Sequence, residues 1–445
     1  MNQEIKITYK SIWGISYPII IGLVAQNLMV VIDTIFLGRL GEVSLGAAAI
    51  GGLFHLTMVM LGTGFGVGMQ ILIGRRNGEG SYRAIGRFFD HGLYFMLFLA
   101  LTLFLVMTFA APQFLQHFIN SPGVLEKSLE FISYRRFGFL FGFCNIVFNS
   151  FYFGTVRTRI VSVATLMMAS SNAVFNYILI FGKLGMPALG VGGAAIATNL
   201  AELVTFSFYI FWTIKNKHIN TYRLFKFQKI NQRLYSRIFR LAAPVMLQYF
   251  IAFSAWFAFF MVLEKLGETA LAASNITRSV YMFLMIPVWG LSSATTTLVS
   301  NLIGGRRINE VFPLIKKILV ISIVSNLVMI QGAIFFPEFI ISLFTQSPEL
   351  TEATRPLLLV ISGALIVFSV SMIFFSALSG TGKTTLALKI EMIAISFYLL
   401  FAFAMVRFFD AGAPLVWVVE ILYFALMGLG AFYFLKRGKW KELKI

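Results

Sequence analysis

A carboxylate inside an apolar run is the group in this chain best placed to do chemistry. Asp33 is the one charged residue between Pro18 and Gly38. An ionised group at bilayer depth costs roughly 2.5 to 3.5 kcal/mol on insertion scales, so an acid kept there is expected to bind and release a cation. The stretch YPIIIGLVAQNLMVVIDTIFLGRLGE returns 226 residues later as APVMLQYFIAFSAWFAFFMVLEKLGE. Pro18 matches Pro244 and Gly41-Glu42 matches Gly267-Glu268, but the place of Asp33 is taken by Phe259. One copy keeps a charge that the other lacks.

Other oxygen-bearing side chains share its depth. Asp33 lies six residues before Arg39, Asn176 seven before Lys183, and Thr198 eight after Gly190. At about 1.5 Å of rise per helical residue, all three lie roughly 9 to 12 Å inside the outer face. Asn172 and Glu202 fall one turn deeper on the faces of Asn176 and Thr198, and Gln26 two turns from Asp33. Carboxylate, amide and hydroxyl oxygens form a hard-oxygen environment that suits H⁺ on the acid, or Na⁺ held by Asp33, Asn176 and Thr198. A second carboxylate, Glu202, would raise the proton affinity of its neighbour, because two like charges resist joint ionisation in a low dielectric. The Asn pair and Thr198 could instead simply bond helix to helix.

Further residues could shape a cavity or gate it. Arg278 and Glu420 reach similar depth in the second copy and are expected to form an ion pair, acting as a latch or as a structural pair. His55 could line the cavity or titrate, although a lone intramembrane histidine is more often packed and hydrogen-bonded. Pro18, with Gly22, offers a bending point, since proline removes a backbone hydrogen bond and clashes with the preceding turn. The stretch Ser379 to Thr385, SGTGKTT, looks like a phosphate-binding loop, but Ala377 stands where the first glycine is required and no strand precedes it. It reads as a turn.

The elements that position these residues are membrane helices. Hydrophobic residues make up 58% of the 445 and charged residues only 12%, which excludes a soluble globule. Twelve apolar stretches are long enough to span about 30 Å of hydrocarbon, near 14–38, 47–73, 88–110, 131–154, 160–181, 190–213, 241–263, 271–302, 314–336, 354–379, 385–406 and 412–435. The expected fold is all-α and polytopic, with 12 transmembrane helices.

The net charge of +18 does not indicate nucleic acid, because Lys and Arg sit in stripes between spans rather than on one compact face. They collect in alternate loops: Lys6 and Lys10; Arg75, Arg76, Arg83 and Arg87; Arg157 and Arg159; and the acid-free stretch from Lys215 to Arg240. Arg306, Arg307, Lys316 and Lys317, then Lys383 and Lys389, then the tail from Lys436 to Lys444 complete the set. Glu4, Glu79, Glu310, Glu391 and Glu442 are assigned to the same side. The positive-inside rule places this side, with both termini, in the cytoplasm of a plasma (inner) membrane protein. The single cysteine, Cys144, allows no disulfide or thiolate metal site. The first apolar segment is too long for a cleavable signal and is expected to stay as an anchor.

The repeat extends over nearly the whole chain. Ser121-Pro122 matches Ser347-Pro348, Glu126 matches Glu352, Gly154 matches Gly380 and Arg157 matches Lys383. Two halves of six spans have the same orientation, related by a pseudo-twofold axis along the membrane normal, with a site near the midplane between them. The expected organisation is an N-terminal six-helix lobe at 1–214, a basic linker at 215–240 and a C-terminal six-helix lobe at 241–445.

Pro18, Asp33-Thr34 and the following GRLG, the paired Asn172 and Asn176 before FGKLGMPALG, GVGGAAIAT from Gly190 to Thr198, and Gly74-Arg75-Arg76 together resemble the multidrug and toxic compound extrusion (MATE) family. The resemblance spans both halves. It implies export of amphiphilic, often cationic, compounds by antiport against H⁺ or Na⁺ through alternating access. It also implies that Asp33 is the essential coupling acid, with Asn172, Asn176 and Thr198 beside it. Glu202 departs from the family pattern, where an uncharged residue, often Gln, is expected. Many relatives carry acids in spans seven and ten, and this chain has none there. No cofactor is expected beyond the coupling ion; the expected partners are drug-like small molecules and the lipid bilayer, with the protein a monomer. The rival readings are a lipid or lipid-linked oligosaccharide flippase of the same superfamily, disfavoured by twelve spans and an acidic cavity, and a membrane-embedded enzyme. Four scattered histidines and one cysteine offer no catalytic constellation, so no enzyme is expected.

Overall fold

A computed structural model describes residues 6–409, 411–438 and 440–441. Glu4, Lys439, Glu442 and Lys444, assigned above to the basic side, lie outside them. The chain is all-helical, and eleven helices among the described residues are long and apolar enough to cross a membrane. A twelfth crossing comes from two helices, Pro122–Arg135 and Gly138–Gly154, which meet at a bend of 52°. In order, the remaining spans are Tyr9–Gly38 (span 1), Glu42–Gly78 (2), Tyr82–Phe118 (3), Thr158–Phe181 (5), Gly190–Lys215 (6) and Gln232–Glu264 (7). Spans 8 to 12 are Glu268–Gly304, Ile308–Phe335, Pro348–Gly380, Thr384–Phe408 and Ala413–Arg437.

The offset of 226 seen in the sequence returns in the helix boundaries. Spans 2 and 8 both begin after a glycine in a positive-φ conformation, Gly41 at 103° and Gly267 at 99°. Few side chains tolerate that conformation, so glycine fixes the same tight turn twice. Spans 4 and 10 both begin with proline after serine, Pro122 after Ser121 and Pro348 after Ser347, the position where the missing proline N–H costs nothing. The copies then diverge: span 10 runs unbroken from Pro348 to Gly380, whereas span 4 breaks at residues 136–137. The SGTGKTT segment forms the turn between spans 10 and 11, as its sequence suggested.

The chain forms two compact units, one of Ile21–Met246 and one of Met1–Ile20 with Leu247–Ile445. Compared with the lobes expected at 1–214 and 241–445, spans 1 and 7 are each divided. The division in span 1 follows Ile20, two residues after Pro18, and in span 7 follows Met246, two residues after Pro244. Pro18 itself sits inside a continuous helix. The basic stretch 215–240 is not a bare connector: it contains a short helix, His218–Tyr222, and the start of span 7. Tyr222 and Leu224 are buried in the first unit.

Candidate functional site

Within the first unit, Asp33 is joined to spans 5 and 6 by one chain of hydrogen bonds. The Asn176 amide donates to Asp33 Oδ1 and also to Asn172 Oδ1, at 2.9 Å. Asn172 Nδ2 donates to Thr198 Oγ1 at 3.2 Å, and that hydroxyl donates to the Ala194 carbonyl at 3.0 Å. The spacing of four residues between Asn172 and Asn176 stacks them on one face of span 5. Both asparagines are fully buried, while Asp33 is only half-buried. The acid and Thr198, also half-buried, are the members of the chain with some exposure.

One buried acceptor in this chain is left over. Asn176 Oδ1 has no hydrogen-bond partner, and a buried oxygen in that state costs on the order of 1–3 kcal/mol. It sits on the amide that contacts Asp33, so its missing partner could be a proton on the carboxyl or a small cation. Thr198 is linked to Asp33 through Asn172 and Asn176 rather than by a direct hydrogen bond. Among the described residues, no three His, Cys, Asp or Glu side chains gather as a metal site.

Glu202 is engaged elsewhere. Arg135 grips it with both ends of the guanidinium, at 2.6 and 3.1 Å, and also donates to Asn199 Oδ1 at 2.7 Å. Asn199 in turn donates to the Tyr134 carbonyl at 2.7 Å, and Asn145 donates to the Glu202 backbone carbonyl at 2.9 Å. Side-chain exposures of 10% and 13% leave this pair largely withdrawn from solvent. It depends on the break in span 4: Arg135 is the last residue before the bend, and Gly138 the first helical residue after it. A Cβ on Gly138 would lie 1.6 Å from Arg135 Nη1 and 2.8 Å from Glu202 Oε2. Arg135 was not singled out by the sequence because the average hydropathy of 131–154 is high enough to hide two arginines near its start. The neighbouring doublet Arg135-Arg136 was the available signal.

In the second unit the corresponding place is aromatic. Phe259 is fully buried, with its ring 5.1 Å from Tyr398 and 5.4 Å from Trp417. Tyr398 stands at the repeat position of Asn172. The expected ion pair between Arg278 and Glu420 does not form. Glu420 accepts from the Tyr398 hydroxyl at 2.8 Å and from Tyr281 at 3.4 Å, while the Arg278 guanidinium lies 5.1 Å from the centre of the Phe260 ring. Equal depth did not make the two residues partners, because pairing also requires a shared direction around the helix axes. Glu391 needs a correction too. It was assigned to the basic loops but lies inside span 11, 5% exposed, accepting from the Tyr423 hydroxyl at 3.2 Å.

The remaining predicted residues stand apart from the Asp33 chain. His55 is 6% exposed and stacks on Phe139, with centroids 4.4 Å apart and Nε2 unpartnered, so it is packed rather than open. Gln26 is exposed and makes no hydrogen bond within that chain. Cys144 is buried and unpaired.

Known proteins share both the sequence and this fold. A probable multidrug resistance protein NorM of Thermotoga maritima is 25% identical, over 99% of this chain and 95% of the relative. One of Mannheimia succiniciproducens is 25% identical over 88% and 84%. Among solved structures, a MOP superfamily transporter from Pyrococcus furiosus superposes with a TM-score of 0.90 at 22% identity, over 98% of this chain and 97% of that one. A multidrug resistance MATE family transporter in an outward-facing conformation gives 0.89 at 23% identity, over 96% and 95%. The MatE family model matches twice, at residues 18–178 and 244–404, which are the two copies of the repeat. With both copies matched, the chain belongs to the MatE family of transporters.

Proposed function

We propose that this transporter exports amphiphilic, often cationic, compounds in exchange for H⁺ or Na⁺, with Asp33 as the coupling acid. The relatives named as multidrug resistance proteins support the substrate class. The observation that carries the coupling role is the Asp33 carboxylate itself. It is bonded to a buried amide, no cationic side chain is paired with it, and it stands beside an acceptor that has no donor. A carboxylate in that setting gains most from a cation that it can also lose.

The hydrogen bonds suggest how binding is transmitted. With Asp33 ionised, Asn176 donates to it. With Asp33 protonated, its hydroxyl becomes a donor, and Asn176 Oδ1 is the acceptor waiting for it. Exchange of these bonds changes how span 1 is held against span 5, and through Asn172 and Thr198 against span 6. Pro18, where the compact unit changes within span 1, is the natural place for that helix to flex. Glu202 is excluded from this exchange by its bond to Arg135. By the distribution of basic residues, the chain lies in the inner membrane with both termini cytoplasmic.

The test is efflux of a cationic dye from vesicles under separately imposed H⁺ and Na⁺ gradients, comparing wild type with Asp33→Asn. The variant should still bind dye but lose gradient-driven transport. Normal transport under both gradients would overturn the coupling role, and movement of a fluorescent lipid instead of dye would favour a flippase.

A further inference from the structure

Apart from the coupling network, the first unit contains a basic cavity of about 220 Å³ at the loop end of span 3. Its lining includes Arg83 and Arg87 from the first two turns of span 3, and Arg223 and Lys226 from the segment after the short helix His218–Tyr222. None of these four cations forms an ion pair with any described residue. Four like charges around one cavity repel one another, so the arrangement favours an anion inside it.

The acid in the cavity wall is already committed. Asp90 is 2% exposed and accepts the backbone N–H groups of Phe225, Lys226 and Phe227 at 2.8, 2.9 and 3.1 Å. Arg223, Phe225 and Phe227 have positive φ, which turns successive amides towards one point and makes the concavity that Asp90 fills. His91 is committed as well: its Nε2 accepts the Asn231 N–H at 3.1 Å, so Nδ1 carries the hydrogen towards the Arg87 carbonyl at 2.9 Å. Asp90 and His91 thus pin the segment over span 3. Their role here is to build the cavity, leaving the four cations to its contents.

The surroundings indicate where the anion comes from. Phe227, 54% exposed, lies in the chain between the lining residues Lys226 and Gln228, Ile230 follows two residues later at 68% exposed, and the Tyr94 hydroxyl donates to the Gln228 carbonyl. Apolar side chains beside a basic cavity at the end of a membrane span match the boundary between headgroups and acyl chains. Arginine forks suit phosphate oxygens. We propose that this cavity binds the phosphate of an anionic phospholipid headgroup from the leaflet on the basic side.

The test uses the full chain in nanodiscs of phosphatidylcholine with or without phosphatidylglycerol, reading lipid retained by native mass spectrometry and the thermal midpoint. Wild type should retain phosphatidylglycerol selectively and be stabilised by it, whereas Arg83→Gln with Arg223→Gln should lower retention roughly tenfold or more. Lys229→Gln with Arg237→Gln removes the same charge at positions that do not line the cavity and should leave retention intact. Equal loss in both double variants would overturn the site in favour of diffuse surface charge. Inorganic phosphate added to phosphatidylcholine discs is the other arm: stabilisation by phosphate without selectivity for phosphatidylglycerol overturns the lipid assignment, and a response to neither overturns the proposal.

Discussion

Replacing Glu202 by glutamine separates a structural acid from a coupling acid. In the folded protein the change removes a two-point contact, at 2.6 and 3.1 Å, from an arginine whose side chain is 10% exposed. Removing one partner of a buried pair costs about 3–5 kcal/mol, chiefly because the other charge is left uncompensated. Arg135 keeps its bond to Asn199, so the lower figure applies, about 3 kcal/mol. With an unfolding entropy of about 2.1 cal/mol/K per residue over 445 residues, each kcal/mol is worth about 1 °C, so the thermal midpoint in detergent should fall by about 3 °C. Arg135→Met should cost a similar amount. The double variant should cost far less than the sum, because an uncharged replacement of a whole buried pair is often close to neutral. Dye efflux gives the second readout: the double variant should recover proton-driven transport, since the two lost charges cancel. The reasoning fails if Glu202→Gln leaves stability unchanged, or if the folded double variant is as inactive as Asp33→Asn. The first result would mean that the pair does not hold the fold, and the second would make Glu202 a coupling acid.

Gly138→Ala should mimic that loss without touching a charge, because its Cβ would lie 1.6 Å from Arg135 Nη1; an unchanged thermal midpoint would mean that the bend does not position the arginine. Tyr398→Phe removes a 2.8 Å bond from the buried Glu420 and should destabilise the protein by about 1–3 kcal/mol, whereas no change would show that Tyr281 alone suffices. His218, outside the membrane spans, is pushed down to about 4, first by burial and then by the charge of Arg157. The unfolded chain therefore takes up this proton first as pH falls, so stability present above about pH 6.5 should decline towards pH 4. His218→Gln should flatten that slope, and an identical slope in the variant would sink the assignment.

Much of the Asp33 network was legible from spacing. Asp33, Asn176 and Thr198 fall at one level, with Asn172 one turn deeper, because helical rise converts residue counts into depth, and the structure bonds the four in sequence. The repeat was legible for a similar reason: glycine and proline at its turns are demanded by backbone geometry, so Gly41 and Gly267 keep their conformation although most neighbours changed. What spacing could not supply was direction around each helix. Arg278 and Glu420 share a depth and turn to different partners, and Glu202 faces Arg135 rather than Asp33. The break in span 4 was hidden because the expected span 131–154 stays apolar on average despite Arg135-Arg136, and hydropathy does not register a bend. Glu391 was counted with the basic side beside Lys389 although the expected span 385–406 already contained it.

The Arg135–Glu202 pair also bears on the electrical nature of transport. On the proposed coupling, two opposite charges locked together add nothing to the charge carried through a cycle, so within the network of Asp33 and its bonded partners the variable charge is that of Asp33. One H⁺ or Na⁺ entering for each monovalent cationic compound leaving then moves no net charge across the membrane. Such an exchange draws on the ion's concentration gradient and is indifferent to the roughly 2.3 kcal/mol that 100 mV offers each charge. A neutral compound carried by the same cycle would be electrogenic, so membrane voltage would select among substrates although no voltage-sensing residue is present in the network.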